Sequence, residues 1–307
     1  MSSIPPELNW QNLFEGDPHA GWLHSGIGIF PDGNIVFEAP GGRAFMDFNP
    51  SDGTFRKVSV DAAVLHGIFV PINSENFWIC DPGVYGAPPA GQLLLISRDG
   101  EVLERITKPG ADINAPIVWK PTSVAIVEEG PLKGDMWIGD GYGESLVHRI
   151  RPDGTFQTFD GSSSSIKFDC PHGVAIDTRG KEALIAIADR GNERIVFFTF
   201  EGEYVRSVKS EKMVGPSSIA VRGDRLIVTD LFGAILSVDA EDRIEVLVPP
   251  IRVDRVEGWP NKLVDGTEVA PDIRDGAVNS PHGVTVSPLG QVLFTEWYFG
   301  GRVVRIY

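Results

Sequence analysis

The sequence predicts an all-β fold, a six-bladed β-propeller with four-stranded antiparallel blades and an N-terminal strand closing the last blade. A strand-and-turn pattern recurs six times in 307 residues, its copies start 41 to 65 residues apart, and 35 Gly and 23 Pro accompany no long helical pattern. Many short strands joined by turns suit that composition. A period near ~40–50 residues marks a propeller blade.

Blade one is HSGIGIFPDGNIVFEAPGGRAFMDFNPSDGTFRKV from His24, and blade two runs from Leu65 as LHGIFVPINSENFWICDPG and GQLLLISRDGEVLERI. Blade three, from Lys120, reads KPTSVAIVEEGPLKGDMWIGDGYGESLVHRIRPDGTFQTF. Blade four, Cys170 to Val208, is the clearest: GVAID, ALIAIAD, RIVFFTF and YVRSV are separated by TRG, RGNE and EGE. That is the meander a four-stranded blade requires. Blade five begins at Gly215 and blade six at Ser280. The chain ends 25 residues past His282, which leaves room for three strands. LNWQNLF near the N-terminus is expected to supply the fourth, closing the ring and removing open sheet edges. Residues 249–279 carry charges and little periodicity. They are expected to loop between blades five and six, as a lid over the mouth or as a surface excursion. The whole chain, 1–307, reads as a single propeller domain.

With 27 Lys+Arg against 42 Asp+Glu, the net charge of −15 argues against a nucleic-acid or anionic-membrane partner. The N-terminus lacks the basic and apolar regions of a signal peptide, and no apolar run approaches a membrane span. The two cysteines, Cys80 and Cys170, are expected to be free and reduced, and the chain cytoplasmic.

Aligned on the residue before the first strand, the blades carry Ser25, His66, Thr122, His172, Ser217 and His282. The start of the first strand and the end of the second lie on one face of the disc, so both positions converge on one mouth. Histidines on alternate blades approach one axial point about a third of a turn apart. Three neutral imidazoles with an open position form a catalytic metal arrangement, and zinc or another divalent transition metal is the expected ion. The small residues of the odd blades leave room for a ligand. A histidine before glycine at a strand start can also be purely structural, and the recurrence at one repeat position sets these three apart. His24 lies near the mouth by position and is a further candidate substrate contact.

The second-strand ends add a recurrent acid: Asp81, Asp140, Asp189, Asp230 and Glu296. Repetition on nearly every blade points to turn hydrogen bonding. Non-repeating residues are the functional candidates: Arg43, Tyr142 and Arg190, with the aromatics Tyr85, Phe232, Trp297 and Tyr298 as candidate substrate contacts.

The units PTSVAI…MWIGDGYGES and PHGVAI…IAIADRGNERI resemble NHL repeats. Together with the three histidines, the chain is similar at blade level to the peptidyl-α-hydroxyglycine α-amidating lyase family, most sharply over residues 120–200. The resemblance implies a zinc held by His66, His172 and His282, with Tyr142 of the DGY turn as catalytic base. It implies that Arg190 of ADR and, by looser alignment, Arg43 bind substrate and activate the tyrosine. The implied reaction cleaves an N-(α-hydroxyalkyl) amide into an amide and glyoxylate. A phenol with a pKa near ~10 needs neighbouring positive charge to act as a base near neutrality.

Departures accompany the likeness. Gly283 stands where the family has an acid that holds a structural calcium, which argues against that ion here, and Ser280 replaces a methionine. The family is usually secretory, disulfide-bonded and coupled to a copper hydroxylase. The expectation here is a small-molecule substrate rather than a peptide hormone. Two further readings stand beside the lyase: a metal-dependent hydrolase of a lactone, ester or cyclic amide on the same histidines, and a non-enzymatic interaction propeller.

Overall fold

Six four-stranded antiparallel sheets, five of them in sequential strand order, form the blades in the computed structural model, which describes residues 8–83, 91–108, 119–252 and 254–307. Blades one to five span 27–59, 67–106, 123–159, 171–209 and 216–248. Blade six combines Pro281–Val286, Val292–Glu296 and Arg302–Ile306 with the N-terminal strand Trp10–Glu15. That strand pairs antiparallel with the last one, from Trp10 opposite Ile306 to Glu15 opposite Arg302. Both ends of the chain therefore share one sheet, as expected from LNWQNLF.

Burial decreases from the middle of each blade to its rim. The second strands Phe77–Asp81, Met136–Asp140 and Val292–Glu296 are buried throughout. Outermost strands such as Phe55–Ser59 are largely exposed. Among the described residues six apolar clusters fill the six blade–blade interfaces, one each. Between blades two and three, Trp78, Leu93, Trp119 and Ile138 pack together. Truncating Ile138 to alanine there costs about 2–5 kcal/mol through lost contact and a residual cavity.

The insert at 249–279 is more ordered than its sequence suggested. Lys262–Val264 and Thr267–Val269 form an antiparallel hairpin. Asp265 (φ 51°) and Gly266 (φ 76°) both take positive φ, the backbone that an Asp-Gly turn favours. The signal was present but brief, on short strands among charged residues. The insert is clamped at its base, where Ile251 N–H donates to Val278 O (2.7 Å) and Val278 N–H to Pro249 O (3.1 Å). Cys80 and Cys170 are free. No helix of the described residues is long and apolar enough to cross a membrane.

Candidate metal centre and mouth

His66, His172 and His282 meet at the axis, each about 1% exposed. Their ring centroids form a nearly equilateral triangle with sides of 4.8, 4.7 and 5.0 Å. Each ring is anchored by the next blade: Nδ1 of His66 lies 2.7 Å from Thr122 O, that of His172 2.9 Å from Ser217 O, and that of His282 3.2 Å from Ser25 O. A carbonyl only accepts, so Nδ1 carries the proton and Nε2 keeps its lone pair facing inward.

The glycine after each histidine makes that anchor possible. A Cβ at Gly67 would stand 2.5 Å from Thr122 O, one at Gly173 2.4 Å from Ser217 O, and one at Gly283 2.6 Å from Ser25 O. The His-Gly pair thus encodes both the ligand and the close approach of its anchor. The odd-blade residues, expected to leave room for a ligand, contribute backbone acceptors.

Tyr142 points its hydroxyl into the cluster, 2.9 Å from His172 Nε2, 3.2 Å from His66 Nε2 and 3.5 Å from His24 Nε2. Arg190 Nη1 reaches the same oxygen at 3.5 Å, and its Nη2 donates to Ser217 Oγ at 2.7 Å. One phenol proton therefore faces several imidazole lone pairs. His282 Nε2 is buried with no hydrogen-bond partner among the described residues. Burial pushes His66 down to about 3, the Thr122 carbonyl opposing and Arg190 reinforcing the shift. Burial first, then neighbouring positive charge, holds His24, His172 and His282 well below the usual histidine range. Neutral, inward-facing and short of donors, the cluster suits a cation.

The donors close enough to share an ion are His66, His282 and a residue the repeat pattern left out, in place of the expected His172. Ligand atoms of His24, His66 and His282 lie within 4.8 Å of one another and could hold a metal. His24 sits over the His66–His282 edge, with ring separations of 4.8 and 4.4 Å. It falls one residue before the aligned Ser25, which hid it from the alignment. The His24 amide donates to Glu38 (3.3 Å), and its ring stacks on Trp297 at 4.7 Å and 25°.

Trp297 continues an aromatic wall. Trp22 lies 5.5 Å away and Trp259 of the insert 5.9 Å away, the latter edge-on at 89°. The insert thus packs on the blade-six side of the mouth, and Trp259 carried no sequence signal. Phe232 packs beneath it, 5.3 Å from Trp259 and 3.5 Å from the Arg255 guanidinium.

Arg43 and Tyr298 show no contact with the cluster among the described residues. Arg43 is exposed in a left-handed turn (φ 58°), and its side chain makes no hydrogen bond among the described residues. Tyr298 turns inward, 3% exposed, where burial and Glu296 raise its pKa. The chain diverges there, so only the adjacent Trp297 faces the mouth. Tyr85 lies outside the described residues.

The recurrent acids staple the strand starts. Asp81 accepts from the amides of Ala63 and Val64, Asp140 from Lys120, Asp189 from Asp169, Asp230 from Val214 and Gly215, and Glu296 from Asn279 and Ser280. Glu38 completes the set in blade one, accepting from His24 and Leu65. Burial pushes Glu38 up to about 8.

Fold and site together define a six-bladed propeller with an axial histidine cluster. No family model matches the chain. It is related to mouse (Mus musculus) peptidyl-glycine alpha-amidating monooxygenase, 31% identical over 153 residues, which are 47% of this chain and 14% of that protein. The Xenopus laevis B form is 28% identical over 158 residues, 48% of this chain and 16% of its own. The match thus takes in a small part of each relative's length. Among solved structures, a streptogramin B lyase covers 100% of this chain and 99% of its own at TM-score 0.64 and 17% identity. A gluconolactonase from Xanthomonas campestris covers 97% and 89% at TM-score 0.64 and 14% identity. At such identities the structural likeness is one of fold.

Proposed function

We propose that the chain is a metal-dependent lyase that cleaves a small N-(α-hydroxyalkyl) amide to an amide and a carbonyl compound. The observation that carries this reading is the axial cluster: three carbonyl-anchored imidazoles around a phenol hydroxyl, with one guanidinium beside it. His66, His172 and His282 would hold the ion, zinc in the first instance, with His24 as the fourth imidazole on the mouth side. When bound, the metal would supply Lewis acidity toward a substrate oxygen.

The chain's own groups account for the proton. The Tyr142 oxygen, 2.9 Å from His172 Nε2 and beside Arg190, would as the phenolate receive the proton of the substrate hydroxyl. Arg190 stabilises negative charge on that oxygen. As the hydroxyl loses its proton, the carbon–oxygen double bond forms, the carbon–nitrogen bond breaks and the amide nitrogen collects a proton. Trp297 and His24 shield one side of the pocket from water. A small-molecule substrate in the cytoplasm is part of the same reading.

The amidating-enzyme relatives and the lyase fold neighbour support cleavage by elimination. The gluconolactonase neighbour supports the second reading, hydrolysis of a lactone on the same histidines. Elemental analysis of protein purified without added metal, followed by turnover of a carbinolamide against lactones, esters and amides, tests both. Stoichiometric zinc with carbinolamide turnover is expected. Lactone turnover alone would replace the lyase with a hydrolase, and full activity without metal would end both. Tyr142→Phe should lower turnover by about 10²–10⁴ while metal content stays unchanged.

A further inference from the structure

The disc has a second opening. A central channel of about 1040 Å³ runs between the inner strands, ending at His66 and His282 beneath the cluster and opening between Pro31, Pro71, Pro131 and Pro288 on the face away from the mouth. Its walls are aliphatic. Ile29, Val70, Ile126, Ile176, Val221 and Val286, one from each blade, line it and remain partly exposed to it. Side chains this apolar, facing a concave space of this size, are the usual lining of a ligand site.

Charge at the opening selects what enters. Apart from the two imidazoles at the closed end, the charged side chains lining the channel among the described residues are Glu128 and Glu129, and both stand at the open rim. Glu128 is fixed there by the Ile72 amide. No lysine or arginine among the described residues lines the channel. A carboxylate-headed chain would meet two like charges at the rim, whereas an ammonium would meet two opposite ones. The net charge of −15 draws cations toward the surface generally.

We infer that this channel is a binding site for a linear aliphatic amine, its chain along the inner strands and its ammonium at Glu128 and Glu129. The site is separate from the mouth. Occupancy approaches the histidines from behind and does not need the lyase reading to hold.

The test uses the full-length protein with N-phenylnaphthylamine, an uncharged fluorophore that brightens in apolar surroundings, displaced by decylamine, decanol or decanoate. Saturable displacement is expected, with decylamine about tenfold tighter than decanol and decanoate weakest. Val221→Trp and Ile126→Trp, on separate blades, fill the channel and should each abolish displacement at unchanged metal content. Glu128→Gln with Glu129→Gln, at the rim, should keep decanol binding and erase the preference for the amine. The proposal is overturned if decylamine displaces nothing, if both filled variants bind as wild type, if decanoate matches decylamine, or if the preference survives the double glutamine change.

Discussion

At the aligned position before the first strand, blades two, four and six differ from blades one, three and five, and the two sets do complementary work. The even blades place an imidazole at the strand start. The odd blades, with Ser25, Thr122 and Ser217 there, present the carbonyl that fixes the neighbouring imidazole. A metal ligand oriented by an outer partner binds more tightly than a free one, typically by 10–100-fold. In this ring the partner is backbone, so it cannot be lost to a side-chain substitution. The even positions are therefore chemically specific and the odd ones tolerant, although both are needed.

The largest break in that comparison is His66→Ala set against Thr122→Ser. The first removes a lone pair and leaves the second carbonyl without its donor. It should weaken metal binding by more than about 100-fold and abolish turnover. The second keeps the carbonyl and a hydroxyl, so metal affinity should stay within about twofold. Calorimetric titration of the metal-free proteins measures both. Equal losses in the two variants would show that the side chains of the odd blades, and not their backbone, build the site.

Acid should sharpen the contrast, because at the aligned position only the even blades carry a titrating group. His66 sits near 3 in the folded protein, against an ordinary value of 6.5. Between those limits the unfolded chain takes up a proton that the folded chain refuses, so stability falls as pH falls. Each unit is worth about 1.4 kcal/mol for one fully shifted group. Glu38, pushed up to about 8, works in the opposite direction, so the useful quantity is a difference between variants. In metal-free protein His66→Gln should relieve roughly 2 kcal/mol of the loss between pH 6.5 and 4.5, read from denaturant unfolding at each pH. An unchanged slope would mean that His66 is solvated and protonates normally.

How much of this was legible in the chain depends on whether a feature repeats. The blades, the closing strand and the three axial histidines each recur or complete a recurrence, and they could be read by aligning units. The stapling acids were legible for the same reason, although Glu38 escaped notice because EAPGG does not resemble the other turns. His24 was placed near the mouth, but its one-residue offset from the aligned column kept it out of the metal set. Trp259 and the insert hairpin lie in a segment that occurs once, so no second copy was available for comparison. Tyr298 shows the converse limit. Nearness to the mouth in sequence does not fix side-chain direction at a turn, and Tyr298 is buried.

The mildest test addresses the close approach that lets the two sets of blades meet. Gly173→Ala changes neither a ligand nor an anchor. It puts a Cβ 2.4 Å from Ser217 O, where the neighbouring blade must move back by about a methyl radius. Two effects should follow together. Overpacking should cost about 1–3 kcal/mol, visible as a lower denaturant midpoint with an unchanged slope. The Ser217 carbonyl should also withdraw from His172 Nδ1, now 2.9 Å away, leaving that ring less well oriented toward Tyr142. Turnover should therefore fall, with metal bound at full stoichiometry through His66 and His282. Loss of stability with turnover intact would separate packing from orientation, and would confine the glycine's role to the fold.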